Sequence, residues 1–191
     1  MIDLEPVTEQ MAAVVGNIGE EQLGDPTPLE RTNVADVLTH VYESTIAFRD
    51  AALKLSGPTT AARPPADGAD LPIDWRYSIL QRLAELAQAW RASEAWQGET
   101  VAGGIRMPAE QCGLVINNEL VLHGWDLAMG TGQPYVVAAE NLQASWEFML
   151  NTPNTPEARE GLFGPRIPIA DDAPLLDRTL AYAGRDPYWV P

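Results

Sequence analysis

Residues 108–129, PAEQCGLVINNELVLHGWDLAM, decide the fold of this 191-residue chain. The stretch is apolar on nearly every side of the helix it would form, and the proline at its first position favours a helix start. Such a helix is expected to lie at the centre of a bundle, with other helices around it. It also carries Glu119 and His123, and an ionisable group that is buried needs a partner or a bound cation.

Four more segments have apolar residues at helical spacing. They cover approximately residues 4–18, 33–55, 74–90 and 137–150. The second of them has the clearest start signal, because Asn33 is a good N-cap and Asp36 stands three residues later in a capping-box position. The third carries one apolar stripe along its length, formed by Trp75, Ile79, Leu83, Leu86 and Trp90.

These segments predict an all-α protein, an antiparallel four-helix bundle with an additional helix and a Pro-rich C-terminal tail packed on it. Residues 1–150 would form the bundle with its site, and residues 151–191, with one short helix, would be a tail of the same domain. Residues 98–107 are compatible with a short hairpin. Residues 56–72 are rich in Gly and Pro, and so long a loop is either a lid or an unstructured connection.

Charge and cysteine content exclude several classes of protein. Twelve Lys and Arg residues stand against 27 Asp and Glu residues, a net charge of −15 at pH 7, which predicts no binding to nucleic acid or to anionic membranes. No apolar run reaches the roughly 18 residues of a membrane span, and the acidic N-terminus is unlike a signal peptide. The single cysteine, Cys112, fits a reducing compartment, so we expect a cytoplasmic protein. For its assembly we expect a monomer or a homodimer.

Glu119 and His123 are the first candidates for chemistry. Residues four apart share a helix face at about 5–6 Å, the spacing logic of the two histidines in H-E-x-x-H metal sites. The only other histidine, His40, lies at the edge of the apolar stripe of the second helix, and a neighbouring second helix would bring it to the same point. Two imidazoles, one carboxylate and an open position are typical of a catalytic metal site, with zinc, nickel, iron(II) or manganese as the ion. The alternative is a core histidine beside a chance Glu-His spacing.

Asp126 stands three residues after His123 on the same helix face. Three roles remain open for it: a carboxylate that orients an imidazole, a general base, or a further ligand. The alternative is a surface charge near the helix end. Cys112 lies two turns, about 10.5 Å, from Glu119, so we expect a small buried apolar side chain there and not a ligand.

Other chemistries find no support in the sequence. It contains no phosphate-binding P-loop, no G-x-G-x-x-G and no G-x-S-x-G, and a Ser-His-Asp triad would have to use the same histidines. The Gly103-Gly104 pair is interpreted as a turn. Asn117 and Asn118 are interpreted as polar positions at the rim of the helix.

Residues 117–133, NNELVLHGWDLAMGTGQ, resemble the E-x-x-x-HGWDLA-x-x-TGQ segment of the DinB-like metal-binding family. Within that family they resemble the actinobacterial branch related to mycothiol-dependent maleylpyruvate isomerase. Residues 33–44, NVADVLTHVYES, are similar to the V-x-x-L-x-x-H segment of the branch. Residues 163–187 are similar to the tail of its short members, so the resemblance covers most of the chain.

The resemblance implies a four-helix DinB fold with one divalent metal near one end, held by His40, Glu119 and His123, with Asp126 close to it. Zinc is the first expectation, with nickel, iron and manganese as alternatives. Family chemistry depends on a thiol: the metal binds a low-molecular-weight thiol such as mycothiol and lowers its pKa, and the thiolate attacks an electrophile. Asp126 is then predicted to be catalytic, as the carboxylate that handles a proton during the transfer.

The chain departs from this pattern in two respects. The family often has T-P-C-x-x-W before the second helix, and residues 27–33, TPLERTN, have Leu29 and Thr32 at the Cys and Trp positions. The isomerase also carries a further C-terminal domain, for which 191 residues leave no room, so we expect a reaction other than maleylpyruvate isomerisation. The expected function is a metal-dependent thiol transferase or isomerase that acts on a small electrophile. The alternative is a non-catalytic bundle that binds a metal or small ligand.

Overall fold

The computed structural model describes residues 1–62 and 67–191. The helices in these ranges are α1 Glu5–Gly16, α2 Val34–Ala52, α3 Pro58–Ala61, α4 Trp75–Trp90, α5 Ala109–Gly130, α6 Ala139–Asn151, α7 Pro156–Arg159 and α8 Leu175–Tyr182. A two-stranded hairpin, β1 Glu99–Ala102 paired with β2 Ile105–Pro108, connects α4 to α5. The five predicted helices correspond to α1, α2, α4, α5 and α6, and the all-α class is confirmed.

The predicted start of α2 is confirmed in detail. The Asn33 side chain accepts from the Asp36 backbone N–H, and the Asp36 carboxylate accepts from the Asn33 N–H, both at 2.9 Å. These reciprocal bonds satisfy two of the donors that a helix leaves unpaired at its start. The helix ends at Ala52, three residues before the predicted end, and the backbone of Lys54 has a positive φ of 57°.

The core of the bundle is α1, α2, α4 and α5, and each of α1 and α2 packs against both α4 and α5. Arg82 donates to the Tyr42 carbonyl at 2.6 Å and the Trp90 indole to the Phe48 carbonyl at 2.9 Å, so α2 and α4 run parallel. A parallel pair needs a long connection, and residues 53–74 supply it.

The other neighbouring pairs fix the remaining directions. Arg76, at the start of α4, donates at 2.6 Å to the carbonyl of Ile18, just after α1, so these two helices are antiparallel. The start of α2 packs near Gly130, the last residue of α5, which makes that pair antiparallel as well. The predicted antiparallel arrangement therefore holds for α1 with α4 and for α2 with α5.

The C-terminal tail packs on α5 and α6. Leu122 and Trp125 of α5 form a second apolar cluster with Met149, Leu180 and Ala183, and all five side chains are buried. The predicted short helix is α8, and it ends as expected, since Gly184 follows it with φ of 80°, a left-handed conformation that glycine adopts without strain.

The loop at residues 56–72 packs along α2 where it is described. The Thr59 hydroxyl donates to the Asp50 carboxylate at 2.7 Å, and the Gly68 N–H donates to the Asp36 carboxylate at 2.8 Å. Residues 63–66 of this predicted loop lie outside the described residues. The predicted hairpin is confirmed, with its turn at Gly103 and Gly104. Within the described ranges, no helix has both the length and the apolar character needed to cross a membrane.

Candidate metal centre

The packing of α2 against α5 brings the two histidines of the chain to one carboxylate. Oε2 of Glu119 lies 3.2 Å from Nε2 of His40 and 3.2 Å from Nε2 of His123. One donor atom from each residue lies within 4.8 Å of the others. The helix spacing that predicted the Glu119–His123 pair holds, and the antiparallel neighbour α2 supplies His40 from the opposite side.

Each of these three side chains keeps an edge open to solvent. Their exposed fractions are 19% for His40, 23% for Glu119 and 15% for His123. The two imidazole rings meet edge to face, with centroids 4.8 Å apart. The Ser44 hydroxyl, one turn after His40, lies 3.3 Å from His40 Nε2. The donor atoms thus converge at the floor of an opening and are not enclosed in the core.

Asp126 holds His123 from the other side of the ring. Its Oδ2 lies 3.0 Å from His123 Nδ1, and its side chain is fully buried. The carboxylate is also paired with Arg185, whose Nε lies 2.9 Å from Oδ1 and whose Nη2 lies 2.8 Å from Oδ2. A carboxylate in this place fixes the imidazole with Nδ1 protonated, so Nε2 is the nitrogen that faces Glu119 and can bind a metal once it gives up its proton.

Burial and charge act against each other on these groups. Burial lowers the pKa of His123, but its hydrogen bonds to Asp126 and Glu119 and their negative charges prevail and raise that pKa to about 9. Burial raises the pKa of Glu119, but hydrogen bonds from His123 and His40 hold it well below its usual value. Burial likewise raises the pKa of Asp126, and the charge of Arg185 outweighs it, so the pKa is lowered. Both carboxylates are therefore ionised at neutral pH.

An open cavity of about 270 Å³ stands above the cluster. Its walls come from the segment before α2, from α2 itself, from α5 and from the C-terminal tail: Leu29, Thr32, Asp36, Val37, His40, Glu119, His123, Gly161, Leu162 and Arg185. Leu29 and Thr32, where the sequence departs from the T-P-C-x-x-W pattern, both line it. No described residue of the loop at residues 56–72 lines it, whereas Gly161 and Leu162 of the C-terminal tail do.

Arg185 was not found by sequence reasoning. It stands 59 residues after Asp126, and no spacing rule connects two positions so far apart in the chain. Ser44 could have been found, because it lies four residues after His40 and therefore on the same helix face.

The structure separates the alternatives for Asp126. The helix-end surface charge is excluded, because the carboxylate is fully buried. Its oxygens face His123 and Arg185, and Asp126 does not line the cavity, so it meets the site only through these two side chains. Cys112 is buried as expected, and burial raises the pKa of its thiol to about 12. Asn117 and Asn118, expected at the rim, are instead fully buried.

The donor set fits a divalent metal ion. For metal–ligand distances of about 2.0–2.1 Å, the edges of a tetrahedral site are about 3.3–3.4 Å long. The two separations of 3.2 Å that Glu119 Oε2 makes with His40 and His123 are close to that value, and all three donor atoms lie within 4.8 Å of one another. Neutral imidazole and carboxylate are ligands that zinc, nickel, iron and manganese all accept.

A family comparison identifies the group to which this bundle belongs. The family described as "Mycothiol maleylpyruvate isomerase N-terminal domain" matches residues 4–128, well over half of the chain. The chain belongs to this family. The matched range of this chain includes α1 to α4, the hairpin and most of α5, and therefore all four residues His40, Glu119, His123 and Asp126.

Two solved structures have the same fold. The crystal structure of the mycothiol-dependent maleylpyruvate isomerase aligns with a TM-score of 0.58 and 19% sequence identity, over 75% of this chain and 65% of that one. A histidine-to-alanine mutant of that isomerase aligns with a TM-score of 0.59 and 18% identity over the same shares. The chain thus spans less than two thirds of the length of these relatives. No curated protein sequence matches it.

Proposed function

We propose that this protein is a metal-dependent thiol transferase or isomerase, which binds one divalent ion, zinc first, through His40, Glu119 and His123. Its thiol would be of low molecular weight and of the mycothiol type, and its second substrate a small electrophile. The observation that carries the proposal is the convergence of two imidazole nitrogens on one carboxylate oxygen at the floor of an open cavity. Membership of a family described by mycothiol chemistry supports the identity of the thiol.

Each residue of the site would have a distinct part. When bound, the ion would supply the positive charge that favours the thiolate form of a thiol at neutral pH. His123 offers Nε2 because its Nδ1 proton is held by Asp126, and Arg185 keeps that aspartate ionised. Asp126 is therefore proposed as a positioning residue and not as the group that exchanges a proton with the substrate.

The cavity walls suggest how the second substrate is held. Leu29, Val37 and Leu162 present apolar surface, while Thr32 and Asp36 present polar groups at the same opening. A volume of about 270 Å³ is of the size that admits a small molecule. We propose that Leu29 and Thr32, which replace the family's frequent Cys and Trp, adapt the cavity to an electrophile different from maleylpyruvate.

The rival is a bundle that binds a metal without catalysing a reaction. Such a site usually closes its coordination with a fourth protein ligand. In the described ranges, the cluster contains three His, Asp or Glu ligands and no fourth, and its exposed edges face the cavity. This favours the enzyme over the binding protein.

Two measurements test the proposal. Elemental analysis of protein purified without chelator should give about one divalent ion per chain, and Glu119→Gln should lose it. The control is Glu110→Gln, an exposed carboxylate on the same helix, which should keep the ion. Retention of the full metal content by Glu119→Gln would show that the site assignment is wrong.

The second measurement follows conjugation of mycothiol to a chromogenic electrophile such as 1-chloro-2,4-dinitrobenzene. The loaded protein should accelerate the reaction, and Glu119→Gln should reduce the rate to that of thiol alone. A loaded protein that holds its metal but gives no acceleration with several electrophiles would favour the binding protein.

A further inference from the structure

A second cleft, of about 600 Å³, opens on the C-terminal tail beside α7. It is lined by Asn154, Thr155, Pro156, Glu157, Arg159, Glu160, Phe163, Pro165 and Arg166. None of these residues lines the cavity above the metal cluster, from which Gly161 and Leu162 separate it along the chain. The cleft therefore needs an explanation of its own.

Two guanidinium groups in this cleft lack a carboxylate partner among the described residues. Most other arginines of this acidic chain pair with Asp or Glu, as Arg49 does with Glu85 at 2.7 Å. Arg159 is 97% buried, yet within residues 1–62 and 67–191 neither Arg159 nor Arg166 has a carboxylate oxygen within 4.0 Å. A buried charge without a counterion is costly, which makes Arg159 unusual.

Each arginine also has one buried donor without an acceptor. Arg159 donates to the carbonyls of Gly164 at 2.8 Å and Tyr182 at 2.6 Å, but its Nη1 has no partner in the described residues. Arg166 donates through Nη2 to the Thr152 carbonyl at 2.6 Å, but its Nε is buried and has no partner there either. Burial and the nearby charge of Arg166 lower the pKa of Arg159, as expected for two cations with no anion between them.

We propose that this cleft binds a small organic monocarboxylate with an apolar body. Arginine pairs readily with carboxylate oxygens, and Arg159 and Arg166, which have no carboxylate partner among the described residues, both line this cleft. Phe163, Pro156 and Pro165 provide apolar surface for the rest of the molecule. Glu157 and Glu160 lie in the same wall, and their charges disfavour a phosphate dianion more than a monoanion.

Binding of benzoate to the full chain, followed by ¹H–¹⁵N NMR, tests the proposal. Saturable shifts should be confined to residues 154–166, and benzamide, which has the same shape without the charge, should give none. Inorganic phosphate should bind more weakly than benzoate. Benzoate binding should persist in Glu119→Gln, which separates this cleft from the proposed metal site.

Two variants of the cleft test which charges act on bound benzoate. Arg166→Gln should weaken benzoate at least tenfold, while Arg31→Gln, an exposed arginine elsewhere, should not change it. Arg166 also donates to backbone carbonyls, so Arg166→Gln could weaken binding by disturbing the tail. Glu160→Gln avoids this, because it removes only a charge beside the cleft. Loss of that exposed charge should tighten benzoate about two- to fivefold, in keeping with the small energies of surface charge pairs. Equal binding of benzoate and benzamide, or no response to either variant, would mean that the two arginines only tether the tail.

Discussion

Arg185 and Asp126 form a buried ion pair, in which Nη2 lies 2.8 Å from Oδ2 and Nε lies 2.9 Å from Oδ1. The side chains are 5% and 0% exposed. The pair fastens the end of the C-terminal tail to the carboxylate that holds His123. Tail and site are therefore one unit: whatever displaces Arg185 also disturbs the orientation of the imidazole.

Removal of Arg185 should destabilise the whole protein. Arg185→Met breaks the buried ion pair and leaves His123 as the one partner of the Asp126 carboxylate among those described, and breaking a buried pair typically costs about 3–5 kcal/mol of the free energy of unfolding. Arg106→Gln is the matched control, because Arg106 and Glu99 are both exposed and their pair at 3.4 Å should contribute less than about 1 kcal/mol. Urea unfolding of both variants checks this. Equal midpoints would show that the buried pair does not hold the tail.

Local signals in the sequence predicted the parts of the site that lie on α2 and α5. The Asn33 capping box and the spacing of Glu119 and His123 are properties of a few adjacent residues, and the structure has both. The parallel direction of α2 and α4, by contrast, depends on how residues 53–74 cross the bundle, which no short pattern encodes. The same is true of Arg185, which reaches Asp126 from the far end of the chain.

The sequence also failed to predict which polar residues lie inside the core. The Asn117 side chain donates through Nδ2 to the backbone carbonyl of Asn141, and the Asn141 side chain donates through Nδ2 to Oδ1 of Asn117, both at 2.8 Å. The Ser145 hydroxyl donates to Asn118 at 2.7 Å. An asparagine is assigned to the surface from its type alone, and only the neighbouring helix α6 supplies the partners that allow its burial.

The glycine of the HGWDLA stretch should be intolerant of any side chain. A Cβ at Gly124 would stand 2.5 Å from the hydroxyl oxygen of Tyr135, which donates to the Val121 carbonyl at 2.9 Å. Gly124→Ala should therefore cost about 1–3 kcal/mol, as overpacking in a filled core does. Gly16→Ala is the control, because nothing lies within 4 Å of its added Cβ. Thermal unfolding should show a lower Tm for the first variant only; an unchanged Tm there would mean that Tyr135 moves freely.

Asp126→Asn separates a positioning role from direct proton transfer. The amide can still accept the Nδ1 proton of His123, but it carries no charge, so metal affinity or turnover should fall by about 10–100-fold. The His123 pKa of the metal-free protein should fall toward 6.5, which NMR titration measures. Asp172→Asn, an exposed carboxylate of the tail, should change neither quantity. Unchanged metal affinity and His123 pKa with turnover reduced 10²–10⁴-fold would instead support Asp126 as the proton-transferring group.

Metal binding should release a proton from His123. The metal affinity should therefore still depend on pH well above the pKa of a free histidine. The His123 pKa is raised from 6.5 to about 9, so its protonated form stabilises the metal-free fold fully below pH 6.5, and that contribution is lost as the pH rises through 9. An imidazole binds a metal only in its neutral form, so the ion displaces this proton. Between pH 6.5 and 9 the apparent affinity for zinc should fall about tenfold for each unit of acidification.

The number of protons released is measured by calorimetric titration of the protein with chelator-buffered zinc at pH 7.5. The titration is repeated in buffers of different ionisation enthalpy. About one proton per ion is expected for the parent protein and distinctly less for Asp126→Asn, in which the pKa of His123 is lower. Glu119 contributes no proton in this range, because its pKa lies well below the usual value. An affinity that stays flat from pH 7 to 9, with no proton released, would show that His123 is already neutral before the metal arrives.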